Sequence, residues 1–240
     1  LVTEDHNENE TPTLPIIYRD AELVAIDKPS GLLVHRSALD ASENQFALQI
    51  LRDQIGQSVY PCHRLDKPTG GVLLFALNAT VLKEVQKQFT VGSIRKAYHA
   101  LVRGWVETSG CIDYALRHEE HPEKVQSAVT DYRCLGQSMV AEPLGRYTEA
   151  RFSLVELKPR TGRKHQLRRH MAHLRHPILG DTRHGDGAQN RFLRSYCNCH
   201  SLMLRATILE LEHPSTRKKL CLNAETDPVF QRVAERLQLV

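Results

Sequence analysis

His63-Arg64-Leu65-Asp66-Lys67-Pro68-Thr69-Gly70-Gly71-Val72-Leu73-Leu74-Phe75-Ala76-Leu77-Asn78 joins a charged turn to an unbroken apolar run. The run from Val72 to Leu77 has strand length and no polar position, which predicts a strand covered on both faces. Asn78 is a natural N-cap, and Val81, Leu82, Val85 and Phe89 follow at three- and four-residue spacing until Gly92 ends the helix. A charged turn mounted on a buried strand is a common place for catalytic groups. Asp66, flanked by Arg64 and Lys67 before a Pro-Thr-Gly-Gly turn, is therefore a candidate. On this segment alone the alternative, in which Asp66 caps the turn and pairs with Arg64, weighs slightly more.

Outward from this stretch the chain alternates short β-type runs with a few helices. Ile16–Tyr18 and Leu23–Ile26 read as strands, and Lys28-Pro29-Ser30-Gly31 as a turn. Residues 45–55 read as a helix stopped by Gly56. Further strands are expected at 94–102, 128–135, 149–157, 202–211 and 218–223, with helices starting near Arg163 and over 227–238. The pattern predicts an α+β fold, a mixed, largely antiparallel central sheet flanked by helices. Residues 1–15 are read as an acidic disordered tail and 16–240 as one domain.

Nothing approaches the roughly 18 apolar residues of a membrane span, and the N-terminus is acidic where a secretory signal is basic. A cytoplasmic protein is expected. The six cysteines lack the dense framework of a small secreted domain and read as free thiols. Cys197-Asn-Cys199-His200, with His170 and His173 nearby, invites a zinc reading, but the spacing is wrong and no second cysteine pair exists. No metal is expected.

The formal net charge of +4 is unevenly spread. Residues 1–10 carry −4, whereas residues 158–184 carry +7, with Asp181 their only acid and five of the thirteen histidines among them. Such a segment suits a polyanion, although an exposed basic face without a partner is the plain alternative. On a helix starting near Arg163, Leu167, Met171 and Leu174 form an apolar stripe. Arg168 lies beside it and would need a carboxylate partner if half-buried, while Arg163, Lys164 and Arg169 stay solvated toward phosphates. Tyr98, on the strand 94–102, is either a core aromatic or a ring for stacking on a base. His-Arg-Leu-Asp lacks the companion motifs of a kinase, and Lys67-Pro68-Thr69-Gly70-Gly71 is not a phosphate loop.

Taken together, these segments resemble the RluA-type pseudouridine synthases. His63-Arg64-Leu65-Asp66 with Thr69-Gly70-Gly71 resembles the family's H-R-L-D-x-x-T-S-G, with Gly70 where serine is usual. Lys28-Pro29-Ser30-Gly31-Leu32-Leu33-Val34-His35 resembles K-P-x-G-x-x-V-H, and Arg95-Lys96-Ala97-Tyr98 resembles R-K-x-Y. Thr161 to Arg168 and His176 to Asp181 resemble T-G-R-x-H-Q-L-R and H-P-I-x-G-D. Val34-His35-Arg36-Ser37, Ile55-Gly56-Gln57 and Arg168 to Pro177 are most similar to the branch acting on uridine 65 of transfer RNA.

The resemblance implies isomerisation of uridine to pseudouridine in tRNA by base flipping, without cofactor or metal. Asp66 would start glycosidic cleavage, by attacking C1′ or by removing the 2′ proton. Arg168 would pair with Asp66 and keep it ionised, and Tyr98 would stack on the uracil and assist proton removal from C5. Arg64 would fill the gap left in the RNA, and Leu202 or Leu204 would wall the base pocket. Thr69, Arg163, Lys164, His165 and Gln166 complete the expected substrate-binding set. A monomer with tRNA as its partner is expected, with no membrane and no protein partner. Ribosomal RNA as substrate and a non-catalytic RNA-binding or chaperone role are the alternatives.

Overall fold

The computed structural model describes residues 12–36, 44–145, 147–225 and 227–240. Most of the expected acidic tail, residues 1–11, lies outside the described residues, as does Ser37. Order begins before residue 16: Leu14 is buried, its N–H donates to Gln54 Oε1 at 2.8 Å, and its carbonyl accepts from Gln54 Nε2 at 3.0 Å.

In chain order the elements begin with β1 (Ile16–Arg19), β2 (Leu23–Lys28), α1 (Ala47–Ile55), β3 (Tyr60–Pro61), β4 (Gly70–Ala76), α2 (Ala79–Val91) and β5 (Arg95–Arg103). There follow β6 (Ser109–Asp113), β7 (Leu116–Arg117), β8 (Val125–Gln126), β9 (Val129–Val140), β10 (Ala150–Pro159) and α3 (Gln166–His173). The chain closes with α4 (Gly187–Cys197), β11 (Leu204–Glu212), β12 (Lys219–Asn223) and α5 (Pro228–Arg236). The main sheet runs β1-β2-β4-β11-β5-β10-β9-β6, with β12 on β11 and β3 on β4. Within the main sheet of the described residues only the short β4–β11 pairing is parallel, so the sheet is mixed and largely antiparallel, with five helices packed about it. No helix of the described residues is long and apolar enough to cross a membrane.

β4 shows why its sequence is continuously apolar: every residue of it is buried. Val72, Leu74 and Ala76 point to one face, where Val81 and Val85 of α2 pack. Leu73 and Phe75 point to the other, against Ala47 and Leu51 of α1. Asn78 caps α2 by accepting a hydrogen bond from Val81 N at 2.9 Å. A third cluster lies around β5 and β10, covered by Leu167 and Met171 of α3, Phe192 and Leu193 of α4, and Phe230 and Val233 of α5.

The helix expected from Arg163 begins at Gln166, because residues up to His165 form a turn and His165 adopts a left-handed φ of 54°. α4 was not anticipated. It has a sound cap, Asp186 accepting from Ala188 N and Gln189 N, and buried residues at helical spacing, but flanking glycines and its basic surroundings mask them. β3, β6, β7 and β8 were also missed, being short and largely exposed.

The cysteines of the described residues are free. Burial pushes the Cys62 thiol up to about 12 and that of Cys197 to about 11, where a thiol stays protonated and binds metal poorly. His170 is buried with one ring nitrogen 3.0 Å from Thr130 Oγ1 and the other 3.0 Å from Tyr114 O, and His173 stacks on Tyr114. Neither histidine joins Cys197 and Cys199 in a ligand set.

Gly71 sets the closest approach in the sheet. Its φ is +111°, and a Cβ there would stand 2.0 Å from the carbonyl oxygen of Ala206. Gly71→Ala must part β4 from β11, and a loss of at least about 2 kcal/mol is expected from strain of this kind. Gly162→Ala, where an added Cβ would meet nothing nearer than Lys96 Nζ at 3.9 Å, serves as the control. Urea denaturation midpoints check this; a wild-type midpoint for Gly71→Ala would contradict the assigned packing.

Candidate active site

The turn preceding β4 is held from three directions. Thr69 N donates to Asp66 O at 3.0 Å, closing the turn, and Gly31 N donates to Lys67 O at 2.9 Å. Lys28 is fully buried, and its ammonium donates to the carbonyls of Pro29, Leu32 and Lys67 at 2.8, 2.7 and 3.2 Å. Burial pulls its pKa down to about 7, opposed by the charges of Asp66 and Asp27. Three carbonyl oxygens use all three ammonium donors, so Lys28 fastens the turn at 28–32 to the turn at 66–69. On the other flank Leu74 N donates to His63 Nε2 at 3.1 Å. Burial, helped by Lys96, lowers the His63 pKa to about 3, and the neutral ring keeps this acceptor nitrogen.

Held in this way, Asp66 stays partly exposed at the side of a cavity of about 370 Å³. Arg168, 5% exposed, reaches it from α3 through Nη1 to Oδ2 at 3.3 Å. The larger share of the guanidinium belongs to Asp181: Nε and Nη2 each lie 2.8 Å from its two carboxylate oxygens. Arg168 therefore pairs with Asp66 and, more extensively, with Asp181, a second partner that the sequence did not single out. A guanidinium presents two edges, and the bidentate one faces Asp181. Burial alone would raise the Asp181 pKa, but the Arg168 hydrogen bonds and the N–H groups of His184 and Arg183, each 2.9 Å from Oδ1, hold it at about 2. Asn190 of α4 fixes the same loop, donating to Asp181 O at 2.8 Å and accepting from Gly180 N at 3.0 Å.

Tyr98 is partly buried on β5. It packs between two core clusters and also lines the cavity, as do Lys96 one strand repeat away and Leu204 on β11. Burial and the neighbouring Asp66 charge raise its phenol pKa well above the usual value, so the hydroxyl keeps its proton near neutrality. Arg64 is exposed at the same cavity, and Arg163, Lys164, His165 and Gln166 line its opposite wall.

Three of the expected substrate contacts lie or act elsewhere. Thr69 is buried in the turn and Leu202 lines a separate cavity behind Arg168, so neither reaches this space. Gln166 is used up internally, with Thr161 Oγ1, Arg163 N, Val129 O and Thr130 Oγ1 all within 3.0 Å of its amide. The basic residues expected to be free are tethered as well. Lys164 lies 3.3 Å from Glu119 and 3.5 Å from Glu120, Arg163 Nε donates to Ser127 O at 3.0 Å, and Arg169 Nη1 donates to Arg117 O at 2.9 Å. These contacts draw residues 117–127 against α3. Gly70 faces away from the cavity: an added Cβ would stand 3.2 Å from Arg205 Nη1 and Lys28 O.

The residues missed from sequence are Asp181, Lys28, Lys96 and His63. Asp181 had a signal, as the only acid of a segment carrying eight Lys and Arg. Lys28 opens the K-P-x-G-like motif, but nothing in its neighbours signals burial, since a lysine before a proline reads as solvated.

Comparison with known proteins gives this geometry a family. The description RNA pseudouridylate synthase matches residues 22–173. The chain belongs to the RNA pseudouridylate synthase family. This synthase is 48% identical over 234 residues to a Vibrio parahaemolyticus protein named tRNA pseudouridine synthase C, covering 94% of this chain and 95% of that one. It is 50% identical over 227 residues to a Yersinia pestis protein of the same name, covering 91% and 88%. Among solved structures it is similar to human RNA Pseudouridylate Synthase Domain Containing 1, with a TM-score of 0.73 and 25% identity, covering 94% of this chain and 89% of that one.

In this synthase Asp181→Asn leaves the buried Arg168 short of one charge and is expected to cost about 3–5 kcal/mol. The pH dependence has a definite sign. A carboxylate whose folded pKa is depressed to about 2 contributes stability that is present above its unfolded value near 4 and lost as pH falls from there through 2. Denaturation midpoints measured across that range should fall with pH in the wild type and less steeply in Asp181→Asn. Equal slopes would contradict the assignment.

Proposed function

We propose that the protein isomerises a uridine of tRNA to pseudouridine, with Asp66 as the group that starts cleavage of the glycosidic bond. The observation that carries this reading is a partly exposed carboxylate held by a buried guanidinium in a cavity faced by a tyrosine ring. The names of the relatives supply tRNA as the substrate class. A uridine inside a duplex cannot present C1′ and C5 to one carboxylate, so the base must leave the stack and enter the cavity. Its volume lies within the range of sites that enclose small molecules. There Tyr98 and Leu204 offer apolar faces on which uracil rests, and Arg64 at the exposed edge takes the place left in the RNA.

Once detached, uracil has to turn and rejoin through C5 before water reaches the sugar. The buried walls from Tyr98, Leu65 and Leu204 serve that exclusion. On reattachment the C5 proton has to leave: Tyr98, protonated beforehand, relays it, its oxygen taking that proton as its own O–H proton passes on toward the neighbouring Asp66 carboxylate, while N1 takes up a proton in exchange. Arg168 keeps the Asp66 carboxylate aimed into the cavity. No part of this scheme calls for a cofactor. Arg163 and Lys164 contact RNA phosphates after exchanging their internal partners. Uridine 65 is the proposed position, and the protein works as a cytoplasmic monomer.

Tritium placed at C5 of uridine is released to water when C5 becomes the glycosidic carbon. Wild-type protein should release it from a tRNA transcript, and replacement of uridine 65 by cytidine should abolish the signal. Asp66→Asn should slow release by at least about 10³-fold while tRNA binding is largely kept. Absence of release by wild type from tRNA would overturn the function, and near-normal turnover by Asp66→Asn would remove Asp66 from its role.

A further inference from the structure

Beside the cavity, three side chains from three separate segments meet at one point. Glu119 comes from the loop between β7 and β8, His165 from the turn before α3, and His184 from the loop that Asp181 organises. Glu119 Oε1 lies 2.9 Å from His165 Nδ1, and His184 Nε2 lies 3.0 Å from the same nitrogen. A single proton on Nδ1 can serve one of these neighbours, and the hydrogen-bonding direction favours His184. Both carboxylate oxygens of Glu119 are buried, and neither accepts a well-directed hydrogen bond. Lys164 and Arg183 hold Oε2 by charge at 3.3 and 3.0 Å, which leaves Oε1 turned toward the two imidazoles.

We propose that Glu119, His165 and His184 bind a divalent transition-metal ion of the zinc class. Two imidazoles and one carboxylate are a familiar donor set for that ion, with the fourth position left to water. Ligand atoms in a tetrahedral shell with bonds of about 2.0–2.1 Å stand about 3.3 Å apart, so a small outward adjustment of the present contacts admits the ion. An ion answers all three lone pairs at once, which no single proton does.

The surroundings fit as well. Four carboxylates, Asp66, Glu119, Glu120 and Asp181, outnumber the three cations Lys164, Arg168 and Arg183 within this network, so the ion meets net negative charge. His184 is positioned through its backbone N–H on Asp181, and the second nitrogen of His165 faces Asp66 Oδ2 at 3.8 Å. A carboxylate behind a ligating histidine is the usual outer partner of such sites. With Nδ1 on the metal, the proton of His165 sits on Nε2 and points toward Asp66, so occupancy would add a donor beside that carboxylate.

The test uses the full chain without RNA, so its outcome is independent of the proposed isomerisation. Zn²⁺ is titrated in competition with a chromophoric chelator, and Co²⁺ is added separately to read the ligand type. One Zn²⁺ per chain is expected, with affinity falling at least about tenfold in Glu119→Gln and in His184→Asn. His200→Ala should bind like wild type, and Co²⁺ should show visible ligand-field bands without a sulfur charge-transfer band. Failure of wild type to retain Zn²⁺, or equal affinity in Glu119→Gln and His184→Asn, would overturn the site. So would loss of binding in His200→Ala together with a sulfur band, which would assign the ion to Cys197 and Cys199.

Discussion

A guanidinium taken out of water must be neutralised where it stands, and the buried Arg168 is the constraint on which the rest of the site depends. Asp181 meets that need with two 2.8 Å contacts, and Asp66 completes it with one at 3.3 Å. The asymmetry has a use. A carboxylate bound on both oxygens would be locked as a structural anion, whereas Asp66 gives up one direction to Arg168 and keeps the rest free for the role proposed for it. Because Asp181 is itself held by the backbone N–H groups of Arg183 and His184, the loop after α3 and the turn before β4 are both aligned on one side chain.

The turn could not use that alignment unless its own backbone were rigid. β4 supplies the rigidity by burying both faces, one under α1 and one under α2, so the strand is a central beam rather than an edge. Gly71 admits β11 against its start, bringing Leu204 toward Tyr98 on the adjacent strand. Lys28 then ties the two turns together from below with a charge that has no contact with solvent. Burial energy is thus converted into placement: the more completely the beam is packed, the less Asp66 can wander.

The parts legible in the sequence were those with strong local signals. The run at Val72 to Leu77, the Asn78 cap and the periodic Val81, Val85 and Phe89 are statements about neighbours in the chain, and the structure has the strand and helix there. The four ordered motifs pointed to the fold and the family. What was not legible depends on partners distant in sequence. The pairing of Arg168 with Asp181, the burial of Lys28 under carbonyls from two turns, the absence of Thr69 and Leu202 from the cavity wall and the internal hydrogen bonds of Gln166 are three-dimensional facts. The basic segment shows the same limit: its charge was visible, but Glu119 and Glu120, which hold part of it, lie more than forty positions away.

In the proposed reaction the two-edged guanidinium of Arg168, and not its charge alone, holds Asp66 in a reactive position. Arg168→Lys keeps the charge and loses the fork. Single-turnover conversion of tRNA by this variant, measured alongside tRNA affinity and thermal stability, tests the claim most directly. The account predicts a fall of about 100-fold or more in the rate constant, as expected when a reacting group shifts by about an ångström, with affinity for tRNA nearly unchanged. A rate constant close to that of the wild type would contradict it.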